Sequence, residues 1–276
     1  MMYNEYDGDE LDHIKEVELM ILKDFIKICE DNDIEYYLIY GTQIGAIRHQ
    51  GFIPWDDDID IMIFREDYEK FLKVMENNPN DQYTIFDSRY NSEYFFQFCR
   101  MSLNDTYWAE YWDEQMSFKL GIHIDLFILD NLPDNNIRRW FYIQRCYYMA
   151  RLYSISVLKF NNYSKIVNLA LNFVHVLLNL FKFSPDYFQK RLYKLFTKYN
   201  GKSSGKYVTD LTLVERVTFL KSDYKPPKKA KFEDIECNIP NNDYNTLNPL
   251  YGDYMQLPPE EKRVAHILNE IDFGPY

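Results

Sequence analysis

At 276 residues, 46% of them hydrophobic, the chain has material for one catalytic core with an added lobe. A net charge of −12 repels phosphate backbones, so the composition excludes nucleic acid as a partner unless a local basic patch dominates. Cys29, Cys99, Cys146 and Cys237 lie far apart without a C-x-x-C pair, which argues against a zinc knuckle or a redox motif.

The start, Met1 to Asp12, is acidic and has no basic region leading into an apolar run, which predicts a cytoplasmic protein without a secretory leader. Leu11, Ile14, Val17, Ile21, Leu22, Phe25 and Ile28 recur at three- and four-residue steps and predict an amphipathic helix of about five turns. Ile34 to Tyr40 is apolar, short and stopped by Gly41, the pattern of a buried strand. Thr42 to His49 reads as one or two helical turns with Thr42 as the cap, followed by a loop from Gln50 to Trp55. Ile59, Ile61 and Ile63 then alternate with Asp58, Asp60 and Met62, which is strand periodicity. Glu66 to Asn77 is helical, and Tyr83–Phe86, Phe95–Leu103 and Gly121–Leu129 are further strands. From Asp134 to Asn200 long helical segments take over. Residues 201–276 read as loop-rich, punctuated by Pro226-Pro227 and Pro258-Pro259. The expected fold class is α+β: a mixed-sheet core over 1–133, a helical lobe over 134–225, and a C-terminal segment over 226–276 that packs back on the core.

The chemistry concentrates between Gly41 and Asp60. Alternate strand residues point the same way, so Asp58 and Asp60 project from one face about 7 Å apart along the chain. Carboxylates so placed repel each other unless a cation lies between them, and a hard ion such as Mg²⁺ (or Mn²⁺) takes a few carboxylates together with substrate phosphate oxygens. The Gly41-Thr42 turn offers backbone N–H groups and a hydroxyl to a phosphate. Asp125, an acid interrupting the apolar run Ile122-His123-Ile124-Asp125-Leu126, is the candidate third carboxylate, with a solvent-facing strand end as its structural alternative. An EF-hand fails because Ile61 stands where its loop needs Gly, and no P-loop or G-x-G-x-x-G is present.

The run from Gly41-Thr42-Gln43-Ile44-Gly45 through Gly51-Phe52-Ile53-Pro54-Trp55-Asp56-Asp57-Asp58-Ile59-Asp60 closely resembles the signature of the LicD family. Leu250-Tyr251-Gly252-Asp253-Tyr254-Met255 with Pro258-Pro259 is similar to that family's end, and Ile28-Cys29-Glu30 to its first helix. The resemblance implies a nucleotidyltransferase-like fold and transfer of a phospho-alcohol, phosphocholine from CDP-choline above all. The implied acceptor is a cell-surface polysaccharide or lipid-linked glycan such as teichoic acid, lipopolysaccharide or capsule. Carried over by position, Gly41 and Thr42 hold donor phosphates, and Asp58, Asp60 and Asp125 bind Mg²⁺.

Arg48, His49 and Arg100 are candidates for phosphate contacts, with structural salt links as the equal alternative. Asp125 or Asp57 accepts the hydroxyl proton. Trp55, Trp108, Tyr111 and Trp112 offer aromatic faces to a quaternary ammonium, although core packing is their commoner use and Trp55 more readily shapes the acidic loop. Two rival functions stand beside this one: a nucleotidyltransferase moving NMP from an NTP to a small molecule or protein, and a non-catalytic, membrane-associated glycan-assembly factor. Intact Asp58, Asp60 and Asp125 argue against the latter.

One helix stands apart. In Ile166 to Phe183, Asn168, Asn172, His175, Asn179 and Lys182 form a single polar stripe, with Lys165, Lys190, Arg191, Lys194 and Lys198 nearby. The pattern suits a helix lying in the plane of a membrane on its inner face, and equally a helix buried against the core. Three Asn and one His make it a poor spanning segment.

Overall fold

The structure, a computed structural model, describes residues 8–79, 81–91, 93–110, 113–202, 204–263, 265 and 268–276. Its first half runs α1 (Gly8–Asp31), β1 (Tyr36–Leu38), α2 (Tyr40–Arg48), β2 (Asp60–Phe64), α3 (Arg65–Asn77), β3 (Tyr83–Phe86), β4 (Cys99–Leu103), β5 (Tyr107–Glu110) and β6 (His123–Asn131). Three helices follow: α4 (Asn136–Val157), α5 (Lys165–Leu180) and α6 (Pro185–Phe196). The chain ends with β7 (Tyr207–Asp210), β8 (Phe219–Leu220), α7 (Lys221–Tyr224), β9 (Lys228–Phe232), β10 (Ile235–Ile239), α8 (Asp243–Tyr251) and β11 (Leu268–Asp272). Among the described residues no single helix is long and apolar enough to cross a membrane.

The result is a mixed α+β fold. Its main sheet has the order β1-β2-β6-β4-β3, with β7 and then β8 continuing from β6. Nine-residue β6 organises it, pairing parallel with β2 and antiparallel with β4 and β7. Strand alternation sorts the two faces as the isoleucine pattern predicts. Ile59, Ile61 and Ile63 pack with Ile21, Leu22 and Phe25 of α1 in one core, whereas Met62 and Phe64 join Tyr37, Phe219 and Tyr224 on the other face.

Two local expectations are corrected. Thr42 is no cap: α2 begins at Tyr40, the capping position is Ile39 without a side-chain bond, and the Thr42 hydroxyl instead accepts from the Asp60 N–H at 2.8 Å. Residues 201–276, expected to be loop-rich, also hold, among those described, five short strands and two short helices between their loops. Their strands are two to five residues long, and β9 carries Lys228, Lys229 and Lys231, so no apolar run announces them. The β9–β10 hairpin turns on Glu233-Asp234, with Glu233 at φ 53, and lacks the Asn-Gly or Asp-Gly pair that marks such a turn in sequence.

That hairpin positions the acidic loop. The Glu233 N–H donates to the Gln50 carbonyl (2.8 Å), and the Glu233 carboxylate accepts from the Phe52 N–H (2.9 Å). Lys15 of α1 donates to the Pro54 carbonyl at 2.8 Å. Gln50 to Pro54 is thereby fixed from both sides, which sets the entry angle of the aspartates that follow.

The helices α4 and α6 build a separate core from Tyr142, Cys146, Tyr153, Phe188, Leu192 and Leu195. Asn135, Ser164 and Ser184 cap α4, α5 and α6 through their side chains, which fixes where each helix starts. The lobe is tied to the sheet at the end of β6. There Asp130, 1% exposed, accepts two bonds from Arg65 (2.9 and 2.8 Å) and a third from Asn200. Removing one partner of a buried pair leaves the other charge uncompensated. Asp130→Ala therefore lowers the unfolding free energy by about 3–5 kcal/mol, read from urea denaturation with an unchanged m-value.

Candidate active site

Strand register brings three charged residues into a row. Asp60 of β2 lies opposite Asp125 of β6, and Asp125 lies opposite Arg100 of β4. The Asp125 N–H donates to the Ile59 carbonyl at 2.9 Å, so the pairing extends one residue before β2. Asp58 precedes the strand yet stays on the Asp60 side, where both line the same two cavities.

The larger cavity, about 640 Å³, is walled by Gly41, Trp55, Asp56, Asp58 and Asp60 on one side and by Tyr251, Tyr254, Pro258 and Lys262 on the other. Gly41 leaves room there for the acid: a Cβ would sit 2.7 Å from an Asp56 carboxylate oxygen and displace it. As the second residue of α2, it places the helix's positive end beside that acid. The smaller cavity, about 290 Å³, is lined by Asp58, Asp60, Asp125 and Arg100, by Glu18, Glu110 and His123, and by the rings of Phe96, Phe98, Trp108 and Phe127.

Arg100 is buried and surrounded. Its Nε donates to Asp125 at 3.1 Å, while Asp113 and Glu110 stand 3.5 and 3.7 Å from its terminal nitrogens. Its guanidinium lies 4.4 Å from the Phe96 ring centroid. Burial alone would lower the Arg100 pKa, but Asp125 and its other neighbours outweigh this and raise it. Burial pushes Asp113 up to about 6 against the opposing pull of Arg100. His123 donates its Nδ1–H to the Gly121 carbonyl (2.9 Å) and turns Nε2 toward Asp125, 3.6 Å away.

Among the described residues no three acids, histidines or cysteines converge into a ready-made ion cage. The oxygens of Asp58, Asp60 and Asp125 are nevertheless the hard donors that Mg²⁺ prefers, and Mg²⁺ ordinarily takes one or two carboxylates and completes its shell with water and substrate phosphate. The donor set fits such an ion when a phosphate substrate shares it.

Residues 33–127 match the family model described as "LicD/FKTN/FKRP, nucleotidyltransferase domain". The chain is also 30% identical over 264 residues to the lipopolysaccharide cholinephosphotransferase LicD of Haemophilus influenzae, covering 91% of this chain and 94% of that one. It belongs to the LicD family, and with that family it is a phosphotransferase of the LicD type. Two uncharacterised rickettsial proteins match shorter stretches: 38% identity over 72 residues in Rickettsia prowazekii (26% of this chain, 27% of the relative) and 44% over 55 in Rickettsia typhi (20% and 18%). The longest similarity, at 91% of the chain, takes in its middle as well as the family-model region. The family match itself holds Gly41, Asp58, Asp60, Arg100 and Asp125, but neither Glu18 nor the C-terminal wall of the larger cavity.

Of the other residues picked from the LicD signature, Arg48 reaches the larger cavity, but its guanidinium donates to the Tyr254 carbonyl at 2.7 Å and to His49 at 2.9 Å. Its geometry is that of a clamp on the C-terminal segment. His49 lines neither cavity; burial and then Arg48 lower its pKa. Asp57 is fully buried and also lines neither. Thr42 is buried and holds the Asp60 backbone. Trp55 lines the larger cavity with the Arg263 guanidinium 5.1 Å from its ring centroid, and Trp108 lines the smaller one. Tyr111 and Trp112 lie outside the described residues.

Sequence reasoning missed Glu18, and named Tyr251 and Tyr254 only within the family-like C-terminal run, not as site residues. For Glu18 the signal was present: steps of four from Ile14 and three to Ile21 put an acid inside the apolar stripe of α1. Glu18 is 2% exposed, its Oε2 has no hydrogen-bond partner among the described residues, and burial, followed by Asp58 and Asp57, raises its pKa well above the ordinary value. Folded Glu18 thus keeps a proton that the unfolded chain loses near its ordinary value of 4.5, and stability falls as pH rises from there toward the folded value. Glu18→Gln removes that fall. Without divalent ions, its unfolding free energy plotted against pH above that ordinary value has a slope less negative by about 1.4 kcal/mol per pH unit; a slope equal to wild type would mean that Glu18 is ionised in the fold.

Proposed function

We propose that the chain transfers phosphocholine from CDP-choline to a hydroxyl of a cell-surface glycan. The observation that carries this is the position of Asp58 and Asp60, which wall the two cavities at once. A donor with its diphosphate at these acids has room for a nucleotide in the larger cavity. The alcohol end then falls in the smaller one, where the rings of Trp108 and Phe127 suit a trimethylammonium head, beside the Phe96 and Phe98 rings that Arg100 covers. The Haemophilus relative is named for phosphocholine and lipopolysaccharide, and teichoic acid or capsule offers the same hydroxyl chemistry.

In this reading the acceptor oxygen attacks the phosphorus that bears choline. The new P–O bond forms as the bond to the bridging oxygen breaks, and CMP leaves with that electron pair. Asp58 and Asp60, with Asp125 beside them, are the residues that would hold Mg²⁺ or Mn²⁺, which when bound offsets the charge on the phosphoryl oxygens. Arg100 keeps Asp125 oriented through its 3.1 Å bond. Of the two acids named as proton acceptors, Asp125 faces a cavity and Asp57 does not, which favours Asp125. The Gly41 end of α2 presents N–H groups toward donor phosphate. Tyr251 and Tyr254 close the nucleotide side.

With choline-labelled CDP-choline and a glycan acceptor, label appears on the glycan as CMP is released, and Asp60→Asn lowers kcat by roughly 10²–10³-fold. Release of pyrophosphate from an NTP, with no label on glycan, would establish nucleotidyl transfer instead. In a thermal-shift series with Mg²⁺, CDP-choline raises the melting temperature more than CDP-ribitol or CDP-glycerol at equal concentration. Equal shifts would remove the choline assignment and leave phosphotransfer standing.

A further inference from the structure

The helix α5 turns its polar stripe inward. Asn172 bonds both the N–H and the carbonyl of Phe160 (2.9 and 2.7 Å), Asn168 does the same for Tyr163, and His175 meets the Ile155 carbonyl at 2.7 Å. These side chains satisfy the backbone of the last turn of α4 and of the link to α5, and the half-buried Leu171 and Leu178 pack on the lobe core. The opposite face is left uncovered. Ile166, Leu169, Phe173, Val176 and Leu180, spaced at three and four residues, are 59–82% exposed. A second exposed stripe on α4 carries Ile137, Phe141 and Tyr148. The expectation that α5 is buried against the core is not met, since none of its residues is fully buried.

Charge says what covers these faces. Residues 136–200 hold eleven Lys and Arg and a single acid, Asp186, in a chain whose net charge is −12. Lys165 and Lys182 stand at the two ends of the α5 stripe, where long cationic side chains reach from an apolar surface to phosphate level. Arg145 lies on the same stripe of α4 as Phe141 and Tyr148. With Arg191 and Lys194 of α6, and Lys198 in the turn just after it, it lines a cleft of about 360 Å³. Among the described residues no acid forms an ion pair with any of these four cations. A second copy meeting this face through the same surface would bring one basic lobe against another, which disfavours a symmetric dimer there.

We propose that the helical lobe docks in the plane of an anionic phospholipid bilayer, with the apolar stripes of α5 and α4 inserted and the Arg145–Arg191–Lys194–Lys198 cleft holding a lipid phosphate. Apolar insertion and attraction to anionic headgroups act together in such docking, and either alone binds weakly. The docking is independent of the phosphotransfer reading, which stands or falls on other residues.

Flotation with vesicles tests it. The full chain floats with vesicles of phosphatidylcholine mixed with phosphatidylglycerol, not with phosphatidylcholine alone, and added salt weakens the binding. Arg191→Gln with Lys194→Gln lowers the partition coefficient roughly 30-fold. Leu169→Ser with Phe173→Ser abolishes flotation while leaving the circular-dichroism spectrum and melting temperature unchanged, since both side chains are exposed. Failure to bind either vesicle, or undiminished binding by both double variants, would overturn the proposal. So would a thermal shift with inorganic phosphate unaccompanied by vesicle binding, or self-association that Leu169→Ser with Phe173→Ser removes.

Discussion

Two carboxylates in register on adjacent strands stand roughly 5 Å apart at their backbones, and they repel each other more strongly the less water surrounds them. Asp60 and Asp125 are held in that relation by the parallel pairing of β2 with β6. The residues around them are arranged to tolerate it. Arg100 occupies the next position in the row and binds Asp125, and itself requires Asp113 and Glu110. Thr42 fixes the Asp60 backbone so that its carboxylate stays on the cavity wall. Glu18 faces the same cavity from α1, and burial, followed by Asp58 and Asp57, raises its pKa. A site that concentrates negative charge in this way is poised for a ligand that brings positive charge, whether a divalent ion or a cationic alcohol.

The second constraint is closure. The larger cavity has one wall from residues 41–60 and the other from residues 251–262. Side-chain bonds between distant parts of the chain hold the walls together: Gln43 to Thr246 at 3.1 Å, and Arg48 to the Tyr254 carbonyl at 2.7 Å. Polar pairs of this kind, the first of them buried, are directional, so they set the width of the opening as well as its existence. The β9–β10 turn does the same for the acidic loop. The C-terminal quarter of the molecule therefore works as part of the site, although most of it adds little to the sheet.

Charge is divided between the two halves of the architecture. The acids gather at the ends of β2 and β6, and the bases gather on α4, α5 and α6, a separation that the overall charge conceals. The bond network of Asp130, Arg65 and Asn200 joins the two regions at the end of β6, far along that strand from Asp125. An acidic site for a phosphate-bearing donor and a basic face for an anionic surface can coexist in one chain because the lobe keeps them on different cores.

The sequence by itself determined the local chemistry. Isoleucine alternation placed Asp58 and Asp60 on one face, the Gly41 motif gave the family, and Asp125 stood out as an acid in an apolar strand; each of these lies within a few residues of its own signal. Glu18 was legible too, as an acid on an apolar helix stripe. The tertiary structure alone decided that Thr42 serves Asp60 instead of a helix end, that Arg48 clamps the C-terminus, and that Asp57 is sealed away. It also decided that the polar stripe of α5 faces inward and its apolar stripe faces out. These depend on contacts between residues far apart in the chain, and on strands too short and too charged to show a period. Periodicity reports which side chains share a face, and only packing decides what that face meets.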